Sequence, residues 1–207
     1  MRELGQWLRK RWIRIVANLG ALVPLLTLVW TYAAGRYVID PVTEIMVRTG
    51  RLAVTFLLLS LACTPVAVVT GFSRILQARR PLGLWSLGYA TLHFLTFAGW
   101  DYRFDLSLLR IGIFDQPFVI VGLGAFLFLV GLGVTSLPAL RERMGRSWRW
   151  FQRLVYLAAA LDIWHILWLK KDPWEAWRYP VILAVLLILR IPHIRRGMAR
   201  VRKRLFR

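Results

Sequence analysis

Six apolar runs dominate this 207-residue sequence, at roughly positions 15–34, 52–70, 81–100, 117–136, 152–169 and 179–192, the last being the shortest. About 20 helical residues cross the ~30 Å hydrocarbon layer of a bilayer. The runs are continuous rather than alternating, which predicts spanning helices and excludes barrel strands. A soluble domain of this length carries about 45–50% apolar residues, against 58% here.

The charges test the count. With both ends inside, the cytoplasmic segments hold 21 of the 29 Lys and Arg residues, and the outer loops hold seven of the ten acids. This asymmetry recurs in every loop only if the number of spans is even. The net charge of +19 therefore reads as topology rather than as a nucleic-acid face, because the basic residues lie between apolar runs and not along one surface. The expected fold is an all-α integral membrane protein, a six-transmembrane-helix bundle with both termini cytoplasmic. It forms one domain over residues 1–207, with basic ends at 1–14 and 193–207. The tail from Arg195 onward reads as a topology anchor or as a patch for anionic lipid. The first run is followed by further spans and has no small-residue cleavage site, so it is expected to be an anchor. Cys63 is the only cysteine, which excludes an intrachain disulfide or a thiolate cluster. No internal repeat, low-complexity stretch or second domain is visible.

An ionisable side chain at the centre of a span costs about 2.5–3.5 kcal/mol on insertion scales, so each needs a reason. Three lie deep: His93 in the third run, and Asp162 and His165 in the fifth. With the odd-numbered helices running from inside to outside, both histidines sit roughly 7–10 Å below the outer end at 1.5 Å per residue. Equal depth on two helices is what a shared ligand requires. Two imidazoles across a porphyrin would hold a six-coordinate b-type haem suited to electron transfer. The competing reading makes each a hydrogen-bonded packing residue. A bare divalent metal is left short of ligands by two histidines. Trp85, Tyr89, His93 and Phe97 recur every four residues and read as one aromatic ridge, with Tyr89 a candidate neighbour of the haem ligand. Ala158 and Leu161 precede His165 by about two turns and one, where small side chains would admit a flat macrocycle. Asp162 has three readings: acceptor of the His165 Nδ1 proton, proton carrier, or neutral packing group. His193 reads as interfacial.

Several blocks together resemble the MsrQ (YedZ) family, the membrane haem subunits of periplasmic methionine sulfoxide reductase systems. They are Thr49-Gly50 leading into the segment from Phe56 to Pro65, and the block Arg79-Arg-Pro-Leu-Gly-Leu-Trp-Ser-Leu-Gly-Tyr89-Ala-Thr-Leu-His93-Phe. Pro117 to Gly122, Thr135-Ser136, and Arg153-Leu-Val-Tyr-Leu-Ala-Ala with His165 behind it complete the set. The resemblance runs from about Asp40 to Lys171. It implies a ferric-reductase-like transmembrane fold in a bacterial inner membrane, haem b on His93 and His165 as axial ligands to iron, and an association with flavin (FMN). It further implies electrons from the quinone pool, or from a cytosolic flavin reductase, delivered to an MsrP-like periplasmic molybdoenzyme that reduces methionine sulfoxide. The family commonly has a histidine immediately before the Arg-Leu-Val-Tyr block, where this chain has Gln152. One haem is therefore expected, not two. Arg48, Arg51 and Trp100 are candidate neighbours of a quinone near the outer haem edge, or plain interfacial anchors. Two further readings are a haem-free membrane scaffold for an exported partner, and a ferric-reductase-like oxidoreductase acting on metal or oxygen. The chain is expected to perform no substrate chemistry of its own.

Overall fold

In the computed structural model, residues 2–37, 40–169 and 173–205 are described. The charges Lys170, Lys171 and Asp172, assigned above to an outer loop, fall outside them. The described residues form helices α1 (Arg2–Ala33), α2 (Pro41–Thr70), α3 (Arg79–Thr96), α4 (Leu106–Phe114), α5 (Pro117–Val134), α6 (Pro138–Met144), α7 (Ser147–Phe151), α8 (Val155–Leu169), α9 (Pro173–Ile188) and α10 (Pro192–Leu205), and no strand. Three segments are long and apolar enough on their own to cross a bilayer: Arg11–Ala33, Pro41–Thr70 and Pro117–Val134; Trp177–Ile188 is a shorter apolar helix. The protein is an all-helical membrane protein.

Helix boundaries follow local chemistry more closely than hydropathy. α2 begins eleven residues before the apolar run does, because Asp40 caps it and Pro41 stands at its first turn, the two strongest start signals in the sequence. Asp40 Oδ1 accepts from the amides of Val42 and Thr43 at 3.1 Å each. The Thr43 side chain first, and then the amides of Thr43 and Val42, hold its carboxyl below the usual range. Glu44, Arg48 and Arg51, expected in a loop, are consequently helical. Gly71 closes α2 at φ +77°, with its amide on the Ala67 carbonyl; the left-handed conformation there favours glycine. α3 runs through one π-helical turn, Phe97–Asp101, before the chain turns at Arg103 and Phe104, both with positive φ. Asp105 then caps α4, an added helix in the connection between α3 and α5. The basic tail is helical as well, and His193 lies exposed at its start.

Two helix pairs make the core. α2 packs along α3, and α5 along α8; α3 also meets α5, and α2 meets α8 and α9. Leu57, Leu61, Leu129, Leu132, Ala158 and Ile163 fill the centre. α1 is largely exposed apolar surface, fastened to α3 by Tyr89, whose hydroxyl donates to the Ala21 carbonyl at 2.6 Å, and by Trp85 Nε1 on Asn18 Oδ1 at 2.9 Å.

Proline explains one long-range contact. Pro65 lies inside α2 and has no N–H to give the carbonyl four residues back. That carbonyl, Leu61, instead accepts from Arg190 Nη2 at 2.6 Å, and Arg190 also donates to the Tyr156 hydroxyl.

Candidate functional site

Towards the C-terminal ends of α3 and α8, two imidazoles line one cavity of about 630 Å³. The ring centres of His93 and His165 are 6.2 Å apart, with the planes at 78°. Each ring is held by one backbone carbonyl. His93 Nδ1 lies 2.8 Å from the Met46 oxygen on α2, and His165 Nδ1 lies 2.7 Å from the Phe118 oxygen on α5. A carbonyl only accepts, so each Nδ1 carries the proton and each Nε2 keeps its lone pair. Neither Nε2 has a hydrogen bond among the described residues.

The spacing suits one metal. A metal–imidazole bond of about 2.0–2.1 Å, with each nitrogen about 1.1–1.2 Å from its ring centre given C–N bonds of about 1.33 Å, would separate the centres of two rings sharing one metal by at most about 6.2–6.6 Å. The cavity walls are mostly apolar: Ala53, Ala90 and Phe94 on one side, Ala125, Phe126, Leu129 and Ile166 on the other, with Phe94 and Phe126 stacked at 5.1 Å. Its volume lies within the range of about 300–1,000 Å³ typical of ligand pockets. Where the histidines approach, the facing helices carry glycine. A Cβ on Gly50 would stand 3.1 Å from His93 Nδ1, and one on Gly122 would stand 2.7 Å from His165 Nδ1. Among the described residues no group of three or more His, Cys, Asp or Glu side chains forms an alternative metal cluster.

The other expected neighbours divide. Asp162 lines the cavity, but it does not receive the His165 Nδ1 proton; the Phe118 carbonyl does, and Asp162 Oδ2 is buried with no hydrogen-bond partner. Tyr89 is not beside the cavity. It is 1% exposed and stacks on Phe56 at 5.4 Å. The ridge reading failed here because four residues advance a helix by about 40° beyond a full turn. From Trp85 to Phe97 it therefore winds through about 120°, so that Tyr89 faces α1 and α2 while His93 and Phe97 face the cavity. Ala158 packs in the core rather than at the site, and the small residues admitting the rings are Gly50 and Gly122. Arg51 lines the cavity, Arg48 is paired with Glu44 at 2.6 Å, and Trp100 is exposed away from it. Gln152 Nε2 reaches the Leu132 carbonyl at 3.3 Å and the Thr135 hydroxyl at 3.2 Å, at the end of α5.

The carbonyls and glycines escaped sequence reasoning, although a signal existed. Both histidines follow their acceptor by 47 residues and the glycine by 43, a spacing repeat with scattered identities between, Ala53/Ala125 and Leu57/Leu129 among them.

Comparison with known proteins now decides the family. Residues 49–163 match the family model described as ferric reductase like transmembrane component. A protein of Ralstonia nicotianae named "Protein-methionine-sulfoxide reductase heme-binding subunit MsrQ" is 38% identical over 191 residues, covering 90% of this chain and 88% of the relative. The chain belongs to the MsrQ family. A second MsrQ, from Herminiimonas arsenicoxydans and bearing the same name, is 34% identical over 184 residues, covering 86% of this chain and 84% of its own length. The family-model match takes in Gly50, His93 and Gly122, begins three residues after Met46 and stops two residues short of His165.

Proposed function

We propose that this chain is the haem-carrying electron-transfer subunit of a methionine sulfoxide reductase system, with one haem b held by His93 and His165. The observation that carries the reading is the pair of neighbouring imidazoles on one cavity, each with Nδ1 committed to a carbonyl and Nε2 unengaged, 6.2 Å apart between centres. A haem bound there supplies a one-electron couple inside the membrane. The chain's own part is to hold each ring in the Nδ1–H tautomer, to raise the basicity of Nε2 through the carbonyl bond, and to keep water from the site with its apolar walls.

Topology completes the reading: six spans, both termini cytoplasmic, in a bacterial inner membrane, with α4 and the two histidines towards the periplasm. Electrons then leave on the periplasmic side, to an MsrP-like molybdoenzyme. The donor in this reading is a quinol, which reaches the outer half of the bilayer without a second metal site. A groove of about 420 Å³ between α1 and α2, lined by Thr27, Leu28, Glu44 and Arg48, supports it, because Val47 and Arg51 line both that groove and the cavity. Gln152 and the exposure of His193, the chain's third and last histidine, support a single haem and weaken a wire to a cytosolic flavin reductase. FMN is assigned no residue.

The test is the visible spectrum of the purified chain. The reading predicts a dithionite-sensitive Soret band that a soluble quinol also bleaches and shifts. A chain without that band would be a haem-free scaffold, and a band reduced by dithionite but never by quinol would remove the quinol donor alone.

A further inference from the structure

The two imidazole seats are one arrangement built twice. A shift of 72 positions carries Met46 to Phe118, Gly50 to Gly122 and His93 to His165. The same shift carries Ala53 to Ala125, Leu57 to Leu129 and Ser86 to Ala158, six buried positions at the two helix–helix contacts. The α2–α3 pair and the α5–α8 pair are thus equivalent units: of the six position pairs, only Met46/Phe118 and Ser86/Ala158 differ in residue type.

The glycine in each unit has a physical reason. On an α-helix the Cα–Cβ bond leans towards the N-terminus, so the side chain at i+4 lies over the carbonyl of residue i on the same face. Gly50 stands at that place over Met46, and Gly122 over Phe118. An imidazole can reach the carbonyl from the side only if nothing larger than hydrogen stands there. A methyl at Gly50 would meet His93 Nδ1 and Cε1 at 3.1 Å, and one at Gly122 would meet His165 Nδ1 at 2.7 Å and Cε1 at 2.9 Å. We propose that Gly50 and Gly122 are positioning residues, each keeping open the approach by which an imidazole donates its Nδ1 proton to the carbonyl one turn back, and so setting the tautomer and orientation of the ring offered to the metal. The inference rests on the haem reading above.

Its consequence is electronic as well as steric. An imidazole that donates from Nδ1 is a stronger donor at Nε2, which favours the oxidised iron. Displacing the ring from its carbonyl weakens that donation and moves the midpoint potential in the positive direction. Alanine otherwise favours a helix over glycine, so lost haem cannot come from a weaker helix.

The experiment compares four variants of the full chain, purified in detergent: Gly122→Ala and Gly50→Ala against Gly124→Ala and Gly88→Ala. A Cβ at Gly124 makes only an ordinary 3.8 Å contact with Leu161, and one at Gly88 meets nothing within 4 Å, so these two control for helix propensity on α5 and α3. Haem affinity is expected to fall about 10–100-fold in Gly122→Ala, the usual scale for losing a ligand's supporting hydrogen bond, and less in Gly50→Ala, where the contact is looser. Both are expected to shift the potential positively and to move the low-spin ferric EPR signal, while the controls match wild type. If Gly122→Ala does not accumulate, Gly50→Ala decides. Affinity, potential and EPR signal in Gly50→Ala and Gly122→Ala matching the controls, with wild type haem-replete, would overturn the inference alone. A wild-type chain without haem would overturn the reading beneath it, and the inference with it.

Discussion

The two ends of the helix bundle treat their polar side chains differently. At the end holding α7, Arg80, Arg190, Gln152 and Trp148 each donate to a backbone carbonyl. Arg80 donates to Ser136 at 2.8 Å, Trp148 to Thr135 at 2.9 Å, Gln152 to Leu132, and Arg190 to the carbonyl freed by Pro65. These groups satisfy the ends and breaks of helices, where carbonyls have no partner of their own. At the opposite end, each histidine gives one nitrogen to a carbonyl and keeps the other. Side chains that donate at their nitrogens to such carbonyls close a structure, whereas an imidazole pinned at Nδ1 still has a ring-nitrogen lone pair to offer a metal. A polar residue deep in a membrane protein is therefore not a site by virtue of depth; what matters is whether a coordinating atom is left over.

The largest test of that contrast removes the imidazoles. His93→Ala and His165→Ala are each expected to abolish low-spin haem in the visible spectrum, and His193→Ala to leave it unchanged. Full haem in either intramembrane variant would erase the distinction between the ends. Arg190→Leu should do the reverse: a buried carbonyl left unpaired costs about 1–3 kcal/mol, seen as a lower Tm in detergent, while haem per chain stays constant. Pro65→Ala restores an amide to Leu61 and should remove most of that cost, so the two changes together should be milder than Arg190→Leu alone. Gln152→Ala loses two long hydrogen bonds, about 0.5–1.5 kcal/mol, again with haem content unaltered; a fall in haem would make Gln152 part of a second site.

The smallest effect concerns the cap beneath the Met46 seat. Asp40 has its carboxyl held below the usual range by the cap bonds from Thr43 and Val42. A depressed carboxylate stabilises above its unfolded value, about 3.9, and loses that contribution as pH falls through the folded one. Asp40→Ala should therefore lower Tm modestly at neutral pH, and the gap to wild type should close in more acidic solution than pH ~4. A gap that persists there would assign the effect to packing instead.

The pairing of His93 with His165 on one cavity was legible in advance, from counting residues along two apolar runs; the single-site expectation, drawn from Gln152 and the histidine count, is a proposal for the haem assay to decide. What escaped was whatever depends on direction around a helix or on backbone atoms. Tyr89 shares a four-residue spacing with His93 yet turns towards α1. Asp162 lost the His165 proton to a carbonyl that no side-chain pattern encodes. The early start of α2 was written in Asp40-Pro41, a capping signal that a hydropathy window passes over. Gly50 and Gly122 were hidden because their meaning lies in the absence of a side chain opposite a residue 43 positions away.

The central claim is one haem between two histidines, and a pyridine-haemochrome assay of the purified wild-type chain, with flavin measured alongside, tests it most directly. The expected ratio is about one haem b per chain; a ratio of zero, or a clean two, would contradict it.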